Sequence, residues 1–256
     1  MIPGRRRADN GCELMPVSLK NQVALVIGAS SGIGRATAVL LAREGAKVMA
    51  SARREERLQE LKAECAAAGH AIEVFAADAK NCADMDRLAE ATREKLGPID
   101  ILIFAAGTNT PDRAMRRLRP EIWRDLLETN LDGAYYAAQA VIPAMRERAS
   151  GHLVFIASVS GHTPDVSGPA YQASKRGLIG LAHAIRLEEK ERGIRVTVVN
   201  PGLVDTEILE KRPVKPTAEQ LGVALLAEHV AEAVLACVAM PARAVVTELT
   251  IMPSAM

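Results

Sequence analysis

Aromatic side chains are scarce in this chain, with one Trp, three Tyr and three Phe among 256 residues. That is too few for the stacking platforms that hold single-stranded nucleic acid. Neither sign of charge dominates: Lys and Arg number 32, Asp and Glu 31, for a net charge of +1. Such a balance argues against a protein whose main business is coating a polyanion. No apolar run is long enough to span a bilayer, because charged or polar residues interrupt every candidate. The four cysteines, Cys12, Cys65, Cys82 and Cys237, are scattered and contain no Cys-x-x-Cys pair. Neither a zinc site nor a disulfide framework follows from them, and a reducing cytoplasm is the expected compartment. His152 and His183 have no acid or Cys at ligand spacing, so no metal is implied.

What is present is ordinary for a globular protein: 49% hydrophobic and 25% charged residues. Residues 1–17 differ from the rest. They carry Arg5, Arg6 and Arg7 without an apolar stretch, which is not a secretory signal, and a disordered tail is expected. Met15 is an alternative start. From residue 18 to 256, short β-branched runs alternate with helical patterns. Val23–Ile27, Lys47–Ala50, Ile72–Ala76, Ile101–Phe104, Leu153–Ile156, Val196–Val199 and Val245–Ile251 read as strands. Helices are expected at Gly34–Arg43, Glu55–Ala68, Ala83–Leu96, Pro120–Arg148 with a kink at Pro143, Tyr171–Arg192 and Ala218–Met240. Continuous apolar strands between helices imply an α/β domain with a doubly wound, mostly parallel sheet covered on both faces. No linker divides it, so one Rossmann-type domain is expected.

The first strand runs into Gly28-Ala29-Ser30-Ser31-Gly32-Ile33-Gly34, and a helix follows. Glycines let the backbone turn sharply and approach a diphosphate, and the helix N-terminus offers free N–H groups. The second strand ends in Ser51-Ala52-Arg53-Arg54. In dinucleotide folds an acid there binds the ribose hydroxyls, whereas a guanidinium accepts a 2′-phosphate. Ala52 in the acid's place, followed by Arg53 and Arg54, favours NADP(H) over NAD(H), with Ser30 placed to help. Tyr171 and Lys175 stand four apart on one helix face. A free phenol titrates near 10; a nearby ammonium favours the phenolate and lowers that value. Ser158, thirteen positions before Tyr171 and just past a strand, places a hydroxyl near a substrate oxygen.

The G-x-x-x-G-x-G spacing and the Ser158/Tyr171/Lys175 spacing resemble the short-chain dehydrogenase/reductase family, in its single-domain NADP-dependent branch. The resemblance covers about residue 18 to the C-terminus. It implies a proton-relay role for Asn130 in Thr129-Asn130-Leu131-Asp132-Gly133. It implies cofactor contacts at Asp78 and Ala79 after the third strand, at Ala106 and Gly107, and at Pro201, Gly202, Val204 and Thr206. The chain departs from the family at Phe104-Ala105, where two asparagines are usual, and at Ile27, where a Thr is usual. The amides that would brace the central sheet are therefore replaced or missing. The resemblance further implies a small-molecule carbonyl or alcohol substrate, a homotetramer or homodimer through the long helices, and a mobile substrate lid at 207–216. No nucleic acid or membrane partner is expected. His162 is a candidate pocket residue, although loop histidines are more often solvated. Trp123 is expected in packing or a subunit interface. Two rival readings stay open: a 3-oxoacyl-thioester (acyl carrier protein) reductase, for which Arg113, Arg116, Arg117 and Arg119 supply a basic stretch, and a non-catalytic NADP-binding regulator.

Overall fold

The computed structural model describes residues 19–255, so the tail expected over residues 1–17 lies outside the described residues, and Cys12 with it. Seven parallel strands form one sheet in the order β3-β2-β1-β4-β5-β6-β7. They are β1 (Val23–Ile27), β2 (Lys47–Ala52), β3 (Ile72–Ala76), β4 (Ile101–Phe104), β5 (Gly151–Ile156), β6 (Ile194–Pro201) and β7 (Glu248–Ile251). The order reverses between β1 and β4: β1 pairs Ala24 with Ile101 of β4 on one side and Val23 with Lys47 of β2 on the other, and the chain runs outward in opposite directions from that junction. That reversal opens a crevice above the carboxyl ends of the strands, where open α/β sheets bind ligands.

Period-two alternation explains why both faces are covered. In β1, Val23, Leu25 and Ile27 pack into one core, and Ala24 and Val26 into the other. In β4, Leu102 and Phe104 take the first side, and Ile101 and Ile103 the second. The first core is closed by α3 (Cys82–Leu96), α5 (Gly133–Arg148) and α6 (Pro169–Glu189), through Met85, Leu88, Ala137, Val141, Leu178 and Ala182. The second is closed by α1 (Gly32–Arg43), α2 (Glu55–Ala67) and the C-terminal helix 227–238, through Leu41, Leu58, Leu61, Val230 and Val234. Strands buried on both faces read as unbroken apolar runs, which is why they are legible in the sequence.

Several element ends shift by one to three residues, and three elements differ more from the sequence reading. The stretch 120–148 is not one helix kinked at Pro143. It is α4 (Pro120–Leu127), a π-turn over Glu128–Asp132, and α5, which continues through Pro143. The break falls at Thr129 and Asn130, both buried, where the Asn130 side chain turns to bind the backbone of another segment. The stretch 218–240 is likewise two helices, α7 (Ala218–Val223) and α8 (Ala227–Val238). Between them Leu225 leaves the helix because its backbone is used elsewhere. Its N–H donates to Leu203 O at 2.9 Å and its carbonyl accepts from Asp205 N at 2.8 Å. Finally, β7 begins at Glu248 rather than Val245.

Among the described residues Cys65, Cys82 and Cys237 are free thiols. No described helix is long and apolar enough to cross a membrane, and no described group of His, Cys, Asp or Glu is arranged to hold a metal ion.

Candidate active site

The glycine loop turns directly from β1 into α1. Gly28 sits at φ +93°, a conformation that side chains disfavour, and a Cβ there would lie 2.5 Å from Ala106 N. Ala105 N donates to Ile27 O at 2.8 Å. The loop is therefore clamped onto Ala105 and Ala106, of which Ala105, with Phe104 before it, stands where asparagines are usual. Asn130 anchors the segment that follows. Its Oδ1 accepts from Thr108 N at 2.7 Å, and its Nδ2 donates to Thr108 O and Ser174 Oγ, each at 3.0 Å.

Arg54, the residue before α2, reaches back to the same loop. Its Nη2 donates to Ser30 Oγ at 3.0 Å and Ser31 Oγ at 2.9 Å. Its Nη1 donates to Glu207 Oε2 at 2.9 Å. The Glu207 carboxyl is held below its usual range, chiefly by that bond to Arg54. A carboxylate of the chain itself thus occupies part of the guanidinium fork. Arg53 lines the same end of the cleft and makes no ion pair among the described residues.

The other end of the cleft holds Ser158, Tyr171 and Lys175. Ser158 follows β5, and its hydroxyl accepts from Ser160 N at 3.1 Å. Ser160 Oγ in turn donates to Asp165 Oδ2 at 2.5 Å. Tyr171 and Lys175 are one turn apart on α6, with the Lys175 Nζ 5.8 Å from the Tyr171 ring centroid. Lys175 is 4% exposed, and its Nζ donates to Ile156 O at 2.9 Å. Burial lowers its pKa to about 8. The Tyr171 phenol is pushed up by burial, while the Ser158 hydroxyl beside it and the charges of Arg212 and Arg113 pull it down. In this state Tyr171 holds its proton.

All of these residues line one cleft of about 680 Å³. Gly28, Ser30, Ser31, Gly32, Ile33, Gly34, Arg53, Arg54, Asp78, Ala79, Ala106, Gly107, Pro201, Gly202, Val204 and Thr206 share it with Ser158, Tyr171 and Lys175. Asn130 is not on its wall; it is fully buried behind Thr108, one layer back. His162 is not on the wall either. It pairs with Glu248, which also accepts from His183 Nε2 at 3.0 Å and Asn200 Nδ2 at 2.8 Å. That acid cluster forms across strands and lies at no recognisable sequence spacing. Sequence reasoning also missed Asp165, Lys211 and Arg212 on the cleft wall, and Arg113, which it placed in a surface stretch.

A glycine-clamped loop at a helix N-terminus and a Ser/Tyr/Lys set on one cleft are what the family model for short chain dehydrogenases matches, over residues 22–216. The chain belongs to the short-chain dehydrogenase/reductase family. It is an oxidoreductase. It is similar to an uncharacterized oxidoreductase of Staphylococcus aureus (strain USA300), 34% identical over 92% of this chain and 98% of that one. Another such oxidoreductase, from Staphylococcus saprophyticus, is 36% identical over 75% of this chain and 82% of its own. Among solved structures, the closed form of a serine dehydrogenase complexed with NADP+ superposes with a TM-score of 0.85 at 32% identity, covering 92% of this chain and 96% of that one. An actinorhodin polyketide ketoreductase with NADPH gives 0.84 at 33% identity, covering 91% and 96%.

Proposed function

We propose that this short-chain oxidoreductase is NADP(H)-dependent and interconverts a carbonyl with a secondary alcohol, using Tyr171 as general acid in reduction and general base in oxidation. The observation that carries the reading is that Tyr171, Ser158 and Lys175 stand at one end of the cleft whose other end is the glycine loop and Arg54. The residues fit the cofactor. Arg54 with Ser30 and Ser31 forms a charged donor set of the kind that receives a 2′-phosphate, and no acid stands at Ala52 to repel one. Two similar structures hold NADP+ or NADPH, which supports the same choice.

When bound, the nicotinamide supplies the hydride to the carbonyl carbon, or accepts it in reverse. Ser158 donates a hydrogen bond to the substrate oxygen and orients it toward Tyr171. Tyr171 passes its proton to that oxygen as the negative charge develops, which a phenol held in its protonated form by burial is suited to do. Lys175 holds the cofactor ribose and favours the phenolate left behind. Its ammonium, held by Ile156 O, stands 5.8 Å from the centre of the Tyr171 ring. Asn130 positions Thr108 and Ser174 on either side, behind Gly107, and supports the proton relay by fixing that wall of the cleft. Asp78, Ala79, Ala106, Gly107, Pro201, Gly202, Val204 and Thr206 make the remaining cofactor contacts. The exposed Trp123, Tyr135 and Leu187 on α4, α5 and α6 support assembly into a homo-oligomer through those helices. The scattered free thiols fit a cytoplasmic enzyme.

The test is consumption of NADPH and NADH, separately, across ketones, 3-oxo esters and semialdehydes. Turnover with NADPH well above NADH is expected. Tyr171→Phe lowers kcat by about a hundredfold or more while leaving NADPH affinity within a few fold. Arg54→Ala removes about tenfold or more of the NADPH preference. Preference for NADH in the native protein, or full turnover by Tyr171→Phe, defeats the reading.

A further inference from the structure

Arg113 does not behave as a member of a basic surface stretch. Arg116, Arg117 and Arg119 are exposed, but Arg113 is only 7% exposed. A guanidinium taken out of water must find its hydrogen bonds and its countercharge in the protein. The hydrogen bonds are partly there. Nε donates to Thr110 O at 3.1 Å and Nη2 to Lys211 O at 2.8 Å. Both acceptors are neutral carbonyls, so they set the plane of the guanidinium without neutralising it. Among the described residues Nη1 has no acceptor.

Among the described residues Arg113 makes no ion pair. The nearby ion pair, Arg117 with Asp112, leaves Arg113 out. Asp165 is within electrostatic reach, but its oxygens accept from Ser160 Oγ at 2.5 Å and Ser167 N at 2.8 Å. A second cation, Arg212, stands close and makes neither an ion pair nor a side-chain hydrogen bond among the described residues. Burial, and then the charge of Arg212, push the Arg113 pKa below its usual range. Lys211 is committed to Thr108 Oγ1.

The position is built, not incidental. Gly168, at φ +92°, immediately precedes α6. A Cβ there would lie 2.6 Å from Arg113 Cβ and 2.7 Å from Arg113 O. Only glycine lets the Arg113 backbone lie against the start of the helix that carries Tyr171, so the guanidinium and the phenol are held in one frame. Arg113, Arg212 and Tyr171 line the same cleft.

We propose that Arg113, assisted by Arg212, is an anion-binding, specificity-determining site, and that the substrate is a short oxo or hydroxy acid. Its carboxylate meets the Nη1 edge of Arg113 while its carbonyl or hydroxyl oxygen meets Tyr171. The carboxylate of Asp165 on the same wall offsets part of the positive charge, which matches a singly charged carboxylate better than a doubly charged phosphate. The carbonyl end of this inference rests on the reading under Proposed function; the anion end rests on Arg113 and its surroundings.

Calorimetric titration separates the two. Butanoate and its neutral isostere butanamide are titrated into the full chain, with and without saturating NADP+. Butanoate is expected to bind at least tenfold more tightly, and Arg113→Met, which keeps the length of the stem but loses the charge, removes that advantage. Equal binding of the two probes by the native protein overturns the site, with no variant needed. An advantage that survives in a folded Arg113→Met protein overturns the role of Arg113. If that variant does not fold, Arg212→Gln serves, because Arg212 carries no side-chain hydrogen bond; a severalfold loss of the advantage is expected, and an undiminished advantage counts against the pair. In turnover with NADPH, 3-oxobutanoate should exceed its methyl ester in kcat/KM by about tenfold to a hundredfold. Equal rates on acid and ester refute the substrate class and leave the oxidoreductase reading standing. Butanoate preference without turnover of any carbonyl supports the anion site and refutes the reading of the chemistry.

Discussion

Gly34→Ala should cost both stability and cofactor affinity, against the rule that alanine improves a helix. Gly34 lies in the first turn of α1, where replacing Gly by Ala is worth up to about 1 kcal/mol in propensity. A Cβ there would sit 2.3 Å from Gly28 O and 2.7 Å from Gly28 C. Relief to 3.0 Å requires the loop to move by about 0.7 Å. Gly28 cannot yield cheaply. Its N–H is tied to Ser51 O at 2.8 Å, and on its other side Ala106 N lies 2.5 Å from where a Cβ would be. A 0.7 Å overlap with fixed backbone belongs in the upper half of the about 1–3 kcal/mol that overpacking costs, so after about 1 kcal/mol of helix gain the net loss is about 1–2 kcal/mol. For a chain of this size that lowers Tm by roughly 2–8 °C. The displaced loop also presents its N–H groups out of register with a diphosphate, which costs about tenfold to a hundredfold in NADPH affinity. Gly180→Ala is the control. Gly180 is exposed on α6 with nothing within 4 Å of its would-be Cβ, so alanine there should raise Tm by about 1–4 °C. Thermal melting and calorimetry, with and without NADPH, read both effects. A Gly34→Ala protein that melts at or above the native temperature and binds NADPH normally refutes the clamp, as does a Gly180→Ala protein that falls as far as Gly34→Ala.

Three further outcomes follow from the buried and paired charges. Burial holds Lys175 at about 8 in the folded protein, against 10.5 unfolded, so the unfolded chain binds the proton more strongly and stability rises between those values. Lys175→Met should therefore stabilise the protein at pH 7 by about 2 kcal/mol, after the lost bond to Ile156 is counted, and that gain should shrink toward pH 10; a gain independent of pH contradicts it. His152, buried beside Thr197, has its pKa lowered to about 3, so the folded state stays neutral where the unfolded state takes up a proton. Stability should fall by about 2 kcal/mol from pH 7 to pH 5 through this group, and His152→Leu should flatten that part of the chemical-denaturation profile; an unchanged slope refutes the assignment. Glu207→Gln frees the Arg54 fork. Because the pair is well exposed, the effect on NADPH affinity should be a tightening of only about twofold to fivefold, and a weakening would mean that Glu207 orients Arg54 rather than competing for it.

The parallel sheet, the order of its elements and the positions of Gly28, Ser158, Tyr171 and Lys175 are all legible in the sequence, because each rests on local pattern. Continuous apolar runs announce strands buried on both faces, and a turn-forming glycine trio announces itself by where it falls between strand and helix. Where local pattern misleads, a long-range bond competes with it. The side chain of Asn130 holds Thr108 from a π-turn, and Leu225 leaves the helix ladder to pair with 203–205, so one expected helix carries a π-turn and another is broken in two. The sequence alone determined the fold class and the family, and it singled out Ser158, Tyr171 and Lys175, which the structure brings to one cleft. Only the tertiary structure decided that Arg113 is buried beside Tyr171, that Arg54 is shared with Glu207, and that Asn130 stands behind the cleft instead of on it. Charge composition counts an arginine the same way wherever it lies; its environment depends on segments far apart in the chain, here 113, 168 and 211, brought together by packing.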